Sequence, residues 1–111
     1  MKKIYICAPL GGDVQKNIEK AKQYERYVLF CGAAPVVPHF YALILDDENP
    51  KERELGIRAA QACLWSADEL WVFGNKVTEG MEAEIRYSKM LNIPVKYVSN
   101  EVFKIWKGDV F

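Results

Sequence analysis

Glu84 lies where helix packing does not favour a carboxylate. Thr78-Glu79-Gly80-Met81-Glu82-Ala83-Glu84-Ile85-Arg86-Tyr87-Ser88 reads as a helix after a strand. Helical spacing puts Met81, Ile85, Ser88 and Leu91 on one stripe, and at about 100° per residue Glu84 falls inside it. Glu82 points away, one turn from Arg86 and close to Lys89, an ordinary solvated arrangement. A charge on the packed side of a helix is costly unless it has a partner or a task. Two readings stand: a carboxylate satisfied by backbone donors at the helix start, or a reactive group.

Further candidates cluster where strands end. Ala8-Pro9-Leu10-Gly11-Gly12 follows the first strand, and its glycines either make a tight turn or let backbone N–H groups approach an anion. The motif is neither GxGxxG nor a P-loop. Asn17, early in the next helix, also falls on an inward stripe, between Ala21 and Tyr24. His39, the sole histidine, is open to three roles: general acid, substrate donor or turn residue. Asp46, Asp47 and Arg53 surround a segment able to fold over the strand ends, or form a solvated loop. Asp68 opens a strand, where a carboxylate more often caps than reacts. Tyr5, on the first strand, is placed to reach a pocket.

The elements that must position these groups alternate between strand and helix, which predicts an α/β fold with a mostly parallel sheet. Strands are expected over 3–8, 34–37, 69–73 and 94–98. A first helix runs from an Asp13 cap to about Cys31, with Ile18, Ala21, Tyr24, Val28 and Cys31 inward and Gly32 as the stop. The apolar run 40–45 is a short helix or a lid. Asn49-Pro50-Lys51-Glu52 starts a helix to about Trp65, with a cap, Pro at the first helical position and Glu for a capping box. That helix has two apolar sides, Leu55, Ala59 and Ala62 on one and Ile57, Ala60 and Leu64 on the other. One can cover the sheet; the other meets another element or subunit. A short terminal helix is expected over 102–106.

The totals narrow the function classes. The 111 residues predict one domain, 1–111, and half of them are hydrophobic. Fifteen basic side chains balance fifteen acidic ones, so no global field points to nucleic acid or a membrane surface. No apolar run approaches the roughly 20 residues that span a bilayer. Three cysteines form no CxxC pair, which argues against structural zinc and for reduced thiols in a cytoplasmic protein.

From Lys3 to Val98 the chain resembles the nucleoside 2-deoxyribosyltransferase superfamily, through Tyr5-Ile6-Cys7-Ala8-Pro9-Leu10-Gly11-Gly12 with Asn17, Pro38-His39, Ala67-Asp68, and Gly80-Met81 leading to Glu84. The resemblance implies a Rossmann-like three-layer sandwich with a four- or five-stranded, mostly parallel sheet. It implies N-glycosidic chemistry: a Glu attacks the anomeric carbon, displaces the base, and water or a second base resolves the glycosyl-enzyme. Glu84 matches that nucleophile, with Glu82 the rival. Tyr5 matches a tyrosine touching the nucleophile, and the Gly11-Gly12 loop the sugar- or phosphate-binding segment. The expected substrate-binding set is Tyr5, Ala8, Pro9, Gly11, Gly12, Asn17, His39, Asp46, Asp47, Arg53, Asp68, Gly80 and Met81. The implied partner is a small nucleoside or nucleotide, with no metal or redox cofactor, and a homo-oligomer is expected. One departure stands out: Ala60 occupies the place of a family Asp that helps protonate the base or orient the sugar. That departure favours an alternative, a non-catalytic nucleotide-binding protein, and the two-sided helix leaves a third reading open, a subunit working through contacts along 50–65.

Overall fold

A computed structural model describes residues 1–110. In chain order the elements are β1 (Lys3–Cys7), α1 (Val14–Phe30), β2 (Ala34–Val36), a 3₁₀ helix (Pro38–Leu43), α2 (Pro50–Trp65), β3 (Glu69–Val72), α3 (Glu79–Met90), β4 (Val95–Tyr97) and α4 (Asn100–Val110). The four strands form one parallel sheet in the order β2-β1-β3-β4. Chain direction across the sheet reverses between β1 and β3, the place where open α/β sheets hold their ligands.

Past the exposed Lys3, β1 is apolar because both of its faces are covered. Ile4, Ile6 and Ala8 pack with Tyr24 and Val28 of α1, Trp71 and Phe73 from the β3 segment, and Phe103 of α4. Tyr5 and Cys7 turn the other way, into a cluster with Leu64 of α2, Leu70 and Val72 of β3, and Met81 and Ile85 of α3. The result is the expected three-layer α/β sandwich, with four strands among the described residues. The α1–α4 layer is strongly aromatic: Tyr24 stacks on Phe73 at 4.5 Å between centroids, and Phe103 meets Tyr24 edge-on at 5.1 Å.

Local signals explain most boundaries. The Asp13 side chain accepts from the Lys16 N–H at 3.1 Å and starts α1. Gly32, at φ +81°, ends it in the left-handed conformation glycine favours. Cys31 departs from expectation: it is the C-cap, beyond the last full turn, and it is exposed. Asn49 caps α2 by accepting from Lys51 and Glu52 N–H groups. The expected reciprocal arm of the capping box goes elsewhere, because Glu52 accepts from the Asp46 N–H at 3.2 Å. The terminal helix is longer than 102–106, starting at Asn100.

The run after β2 is a 3₁₀ helix tied to α2. Leu45 lies so close to Gly56 that a Cβ there would meet it at 3.2 Å. Tyr41 and Cys63 meet through their hydroxyl and thiol at 3.3 Å. The inward face of α2 is made of small residues, and the helix buries fully only Leu64.

The two glycines of the β1–α1 turn carry different loads. Gly12 sits at φ +85°, whereas a Cβ at either position meets nothing within 4 Å. Gly12→Ala is therefore expected to lower stability by about 1–2 kcal/mol through backbone strain alone, and Gly11→Ala to leave it level or slightly raised. Urea denaturation of both variants checks this; equal losses would overturn it.

Candidate active site

The site is built from β1 upward. Tyr5 and Cys7, two residues apart, point to one face of the sheet. Glu84, in the second turn of α3, descends onto both. The Tyr5 hydroxyl donates a hydrogen bond to Glu84 Oε2, and the Cys7 thiol lies 3.6 Å from Oε1. α3 is fixed above them by the Thr78 cap, whose hydroxyl accepts from the Met81 N–H at 3.2 Å, and by buried Met81, Ile85 and Ser88. Ser88 Oγ donates back to the Glu84 carbonyl at 2.9 Å. Glu82 is exposed on the opposite side.

Burial sets the electrostatics. The Glu84 carboxyl is held above its ordinary range because desolvation disfavours its charge, an effect the Tyr5 and Cys7 donors offset only in part. Tyr5 and Cys7 are pushed up as well, by burial first and by the adjacent Glu84 second. Both therefore stay protonated and serve as neutral donors. Glu84 as a residue is half-buried, and both of its carboxylate oxygens face donors on β1.

His39 is 5% exposed, and its Nε2 lies 3.0 Å from the Ala8 carbonyl. A carbonyl only accepts, so Nε2 carries the proton and Nδ1 presents a lone pair. Nδ1 has no hydrogen-bond partner among the described residues. Burial keeps the ring neutral below the ordinary histidine range, against the pull of the Ala8 and Pro9 carbonyls. Of the three roles open in the sequence, the neutral ring fits that of a turn residue; its one proton is spent on the backbone.

Other expected residues divide into near and far. Pro9 packs against the exit of β3, where a Cβ on Gly74 would meet its ring at 3.3 Å. Asn17 does not reach outward: its Nδ2 donates to the carbonyls of Leu10 and Gly11, both at 3.0 Å, so it holds the turn in shape. The N–H groups of Gly11 and Gly12 are left without a protein acceptor among the described residues. Gly80 is exposed at the start of α3. Asp46 is used locally, accepting from the Glu48 N–H at 3.0 Å. Asp47 and Arg53 are exposed; the Arg53 backbone N–H donates to the Asn49 carbonyl at 2.9 Å within the start of α2.

Asp68 lies at the opposite end of the sheet. Its carboxylate accepts from the Lys3 N–H at 2.7 Å while its own N–H donates to the Lys3 carbonyl at 2.8 Å. In a parallel sheet, a residue that opens β3 pairs with the start of β1, and the glycine turn lies beyond the other end. Sequence reasoning missed Cys7 and Cys63 as neighbours of the carboxylate cluster. The period-two alternation from Tyr5 already puts Cys7 on the same face. Cys63 had no local signal, because a 3₁₀ helix far from it in sequence brings Tyr41 to it. No group of His, Cys, Asp and Glu among the described residues is arranged to hold a metal ion.

Residues 2–98 match a family described as a domain of unknown function (DUF7768), and the chain belongs to it. No curated protein matches the chain by sequence. Among solved structures, the fold is similar to a 2-deoxyribosyltransferase from the psychrotolerant bacterium Bacillus psychrosaccharolyticus. The TM-score is 0.70 at 16% identity, over 90% of this chain and 79% of that one. A conserved protein from Enterococcus faecalis V583 is similar at a TM-score of 0.64 and 20% identity, over 97% of this chain and 74% of that one. At these identities the likeness establishes the deoxyribosyltransferase-like α/β fold. No helix among the described residues is long and apolar enough to cross a membrane.

The buried carboxylate has a stability signature. Its folded pKa is raised, so folding favours the protonated form. The cost is absent below the unfolded value of 4.5 and sets in as pH rises through the folded one. Glu84→Gln keeps an acceptor for Tyr5 and is expected to melt a few degrees higher than wild type at pH 7–8, of order 1 kcal/mol. The two curves should converge towards pH 4.5. A lower melting temperature for the variant at neutral pH would mark the carboxylate as structural. His39 has the opposite sign: its lowered pKa removes stability as pH falls below 6.5. In the Glu84→Gln background that loss should stand alone, and His39→Gln should flatten it.

Proposed function

We propose that this protein cleaves or transfers the N-glycosidic bond of a nucleoside or nucleotide, with Glu84 as the nucleophile. The observation carrying this reading is the Glu84 carboxylate, sheltered beside the sheet's reversal point and held by hydrogen bonds from Tyr5 and Cys7. The similarity in fold to a 2-deoxyribosyltransferase supports the substrate class. A glutamate oxygen attacks the anomeric carbon as the C–N bond breaks, and the bonding pair leaves with the base, which takes up a proton. Water or a second base then attacks the same carbon and frees the carboxylate.

The surrounding residues suit the remaining tasks. Tyr5 and Cys7 orient Glu84 and lower the cost of its charge. The unpartnered N–H groups of Gly11 and Gly12, in a turn braced by Asn17, offer donors to a sugar hydroxyl or phosphate. His39, buried with its Nε2 on the Ala8 carbonyl, steadies the exit of β1 and does not meet the ligand directly. Asp46, Asp47 and Arg53 sit on the turn before α2 and at its start, as a base-side rim; Asp68 has no part in this reading.

A second reading, a protein that binds a nucleotide without cleaving it, is favoured by one residue. Ala60 supplies no carboxyl at the position where the resembling enzymes place an Asp. A missing proton donor slows such a reaction by roughly 10²–10⁴.

A panel of deoxynucleosides and their monophosphates separates the two. Release of free base by wild type, lost in Glu84→Ala, is expected; tight binding with the ligand recovered intact selects the second reading. Glu84 must be ionised to attack, so the acid limb of kcat/KM should lie above pH 4.5. Tyr5→Phe removes a bond that lowers the Glu84 pKa, so that limb should move to higher pH with about a 10²-fold loss of rate. An unmoved limb would show that Glu84 is not the titrating group.

A further inference from the structure

The face of the sheet that Glu84 does not touch carries a recess of its own. Glu84 lies in the α2–α3 layer, whereas the recess opens in the α1–α4 layer, bordered by the turn after β3. It is a cleft of about 240 Å³. Helical spacing builds it. Lys20 and Tyr24 are one turn apart on α1, and Asn100, Phe103, Lys104 and Lys107 stand at i, i+3, i+4 and i+7 on α4. Each helix thus turns one face to a shared valley. Asn75 closes an end of it, just after Gly74 turns the chain at φ +96°.

The lining is one-sided in charge. Lys20, Lys104 and Lys107 all border the cleft, and no carboxylate among the described residues lines it. The chain as a whole has no net charge, so three ammonium groups gathered without a counter-charge are a local excess. None of the three makes an ion pair among the described residues, although Lys22, on the same helix as Lys20, has Glu19 at 3.0 Å. The neutral groups add donors. The side-chain amides of Asn75 and Asn100 have no hydrogen-bond partner among the described residues. Tyr24 is 7% exposed, and its hydroxyl is unpartnered in the same sense. Burial holds that hydroxyl above its usual pKa, so it keeps a proton to donate. Its ring neighbours Phe73 and Phe103 offer no acceptor. A phenol buried to this degree ordinarily finds one.

We propose that this cleft is a second ligand site, for a small diphosphate-class anion held by Lys20, Lys104 and Lys107, with the Tyr24 hydroxyl and the Asn75 and Asn100 amides donating to its oxygens. Charge sets the class: one phosphate group carries roughly −1.5 to −2, too little for three ammonium groups, whereas two linked phosphates match them. Volume agrees, because the cleft is smaller than the roughly 300–1,000 Å³ that enclose drug-sized ligands. α4 starts at the rim, where Ser99 Oγ accepts from the Val102 N–H at 3.1 Å, so the helix dipole adds to the same sign. The site stands independently of any role for Glu84, from which the sheet divides it.

Isothermal calorimetry with inorganic diphosphate, at about 20 mM and about 200 mM salt, tests the proposal. A single site is expected, weaker at the higher salt, with inorganic monophosphate bound at least about ten-fold less tightly. Lys104→Gln combined with Lys107→Gln should weaken diphosphate at least about ten-fold, and Tyr24→Phe about three-fold, since it deletes one donor and keeps the ring. Without ligand both variants should melt with the wild type, and diphosphate should raise the melting temperature of the wild type most. Lys51→Gln, which removes an equal charge at the start of α2, and Glu84→Gln should bind as the wild type does. Methyl diphosphate separates the sources: weaker binding than the inorganic ion marks a free diphosphate, equal or tighter binding an organic one. No binding up to about 5 mM at the lower salt overturns the site. So does binding that the lysine pair leaves unchanged, or that Lys51→Gln weakens as much.

Discussion

One contact organises this molecule's chemistry: a carboxylate on α3 pressed against two donors on β1. The Glu84–Tyr5 hydrogen bond joins elements 79 residues apart in sequence, and it exists only because several things are true together. β1 must be central, so that its Tyr5–Cys7 face is covered by helices. α3 must start at Thr78, because a shift of one residue turns Glu84 by about 100° away from the sheet. The exchange is unfavourable for stability, since burial penalises the ionised carboxyl. Buried charge with a raised pKa, in a mainly apolar layer, is the kind of local cost that functional sites retain.

The two ends of the sheet use acidic residues in opposite ways. At the amino end Asp68 satisfies the Lys3 N–H, and Glu69 pairs with Lys2 at 2.8 Å while accepting from the Trp71 indole at 3.0 Å. Those carboxylates are part of the architecture, and Lys2 and the indole hold Glu69 below the usual range. At the other end the turn residues are glycines, the braced carbonyls belong to Leu10 and Gly11, and backbone N–H groups are left over. Parallel strands produce this division, since every β-to-α turn emerges at the same edge.

Much of this was legible in the sequence because the informative residues act locally. Asp13, Gly32, Asn49 and Pro50 mark helix ends by their own hydrogen-bonding and backbone preferences, and the structure uses each that way. The inward placement of Glu84 followed from periodicity alone. What was illegible depended on distant partners. Asp68 was open both to capping a strand end and to touching substrate, and only strand register, by putting it beside Lys3, decides for the cap. Asn17 faces inward as its spacing suggests, yet its amide is consumed by the turn before it. The Thr78 cap was hidden because Met81, not Glu or Gln, fills the third helical position. The two-sided character of α2 was visible, but periodicity cannot say which side is buried when small residues line one and large ones the other.

That inverted helix bears on the chemistry as well. Ala60 shares the inward face of α2 with Leu64, and Leu64 packs in the same cluster as Tyr5 and Cys7. A carboxyl at position 60 would bring a second negative charge into the layer that already strains to hold one. Like charges push each other's pKa upward, so an Asp there would make Glu84 harder to ionise while offering a proton to a leaving group. With alanine, α2 lies close to the 3₁₀ helix and Glu84 keeps only neutral donors beside it. Without an acid at position 60 Glu84 ionises more readily, which in the proposed reaction favours its attack, and the departing base takes its proton from water.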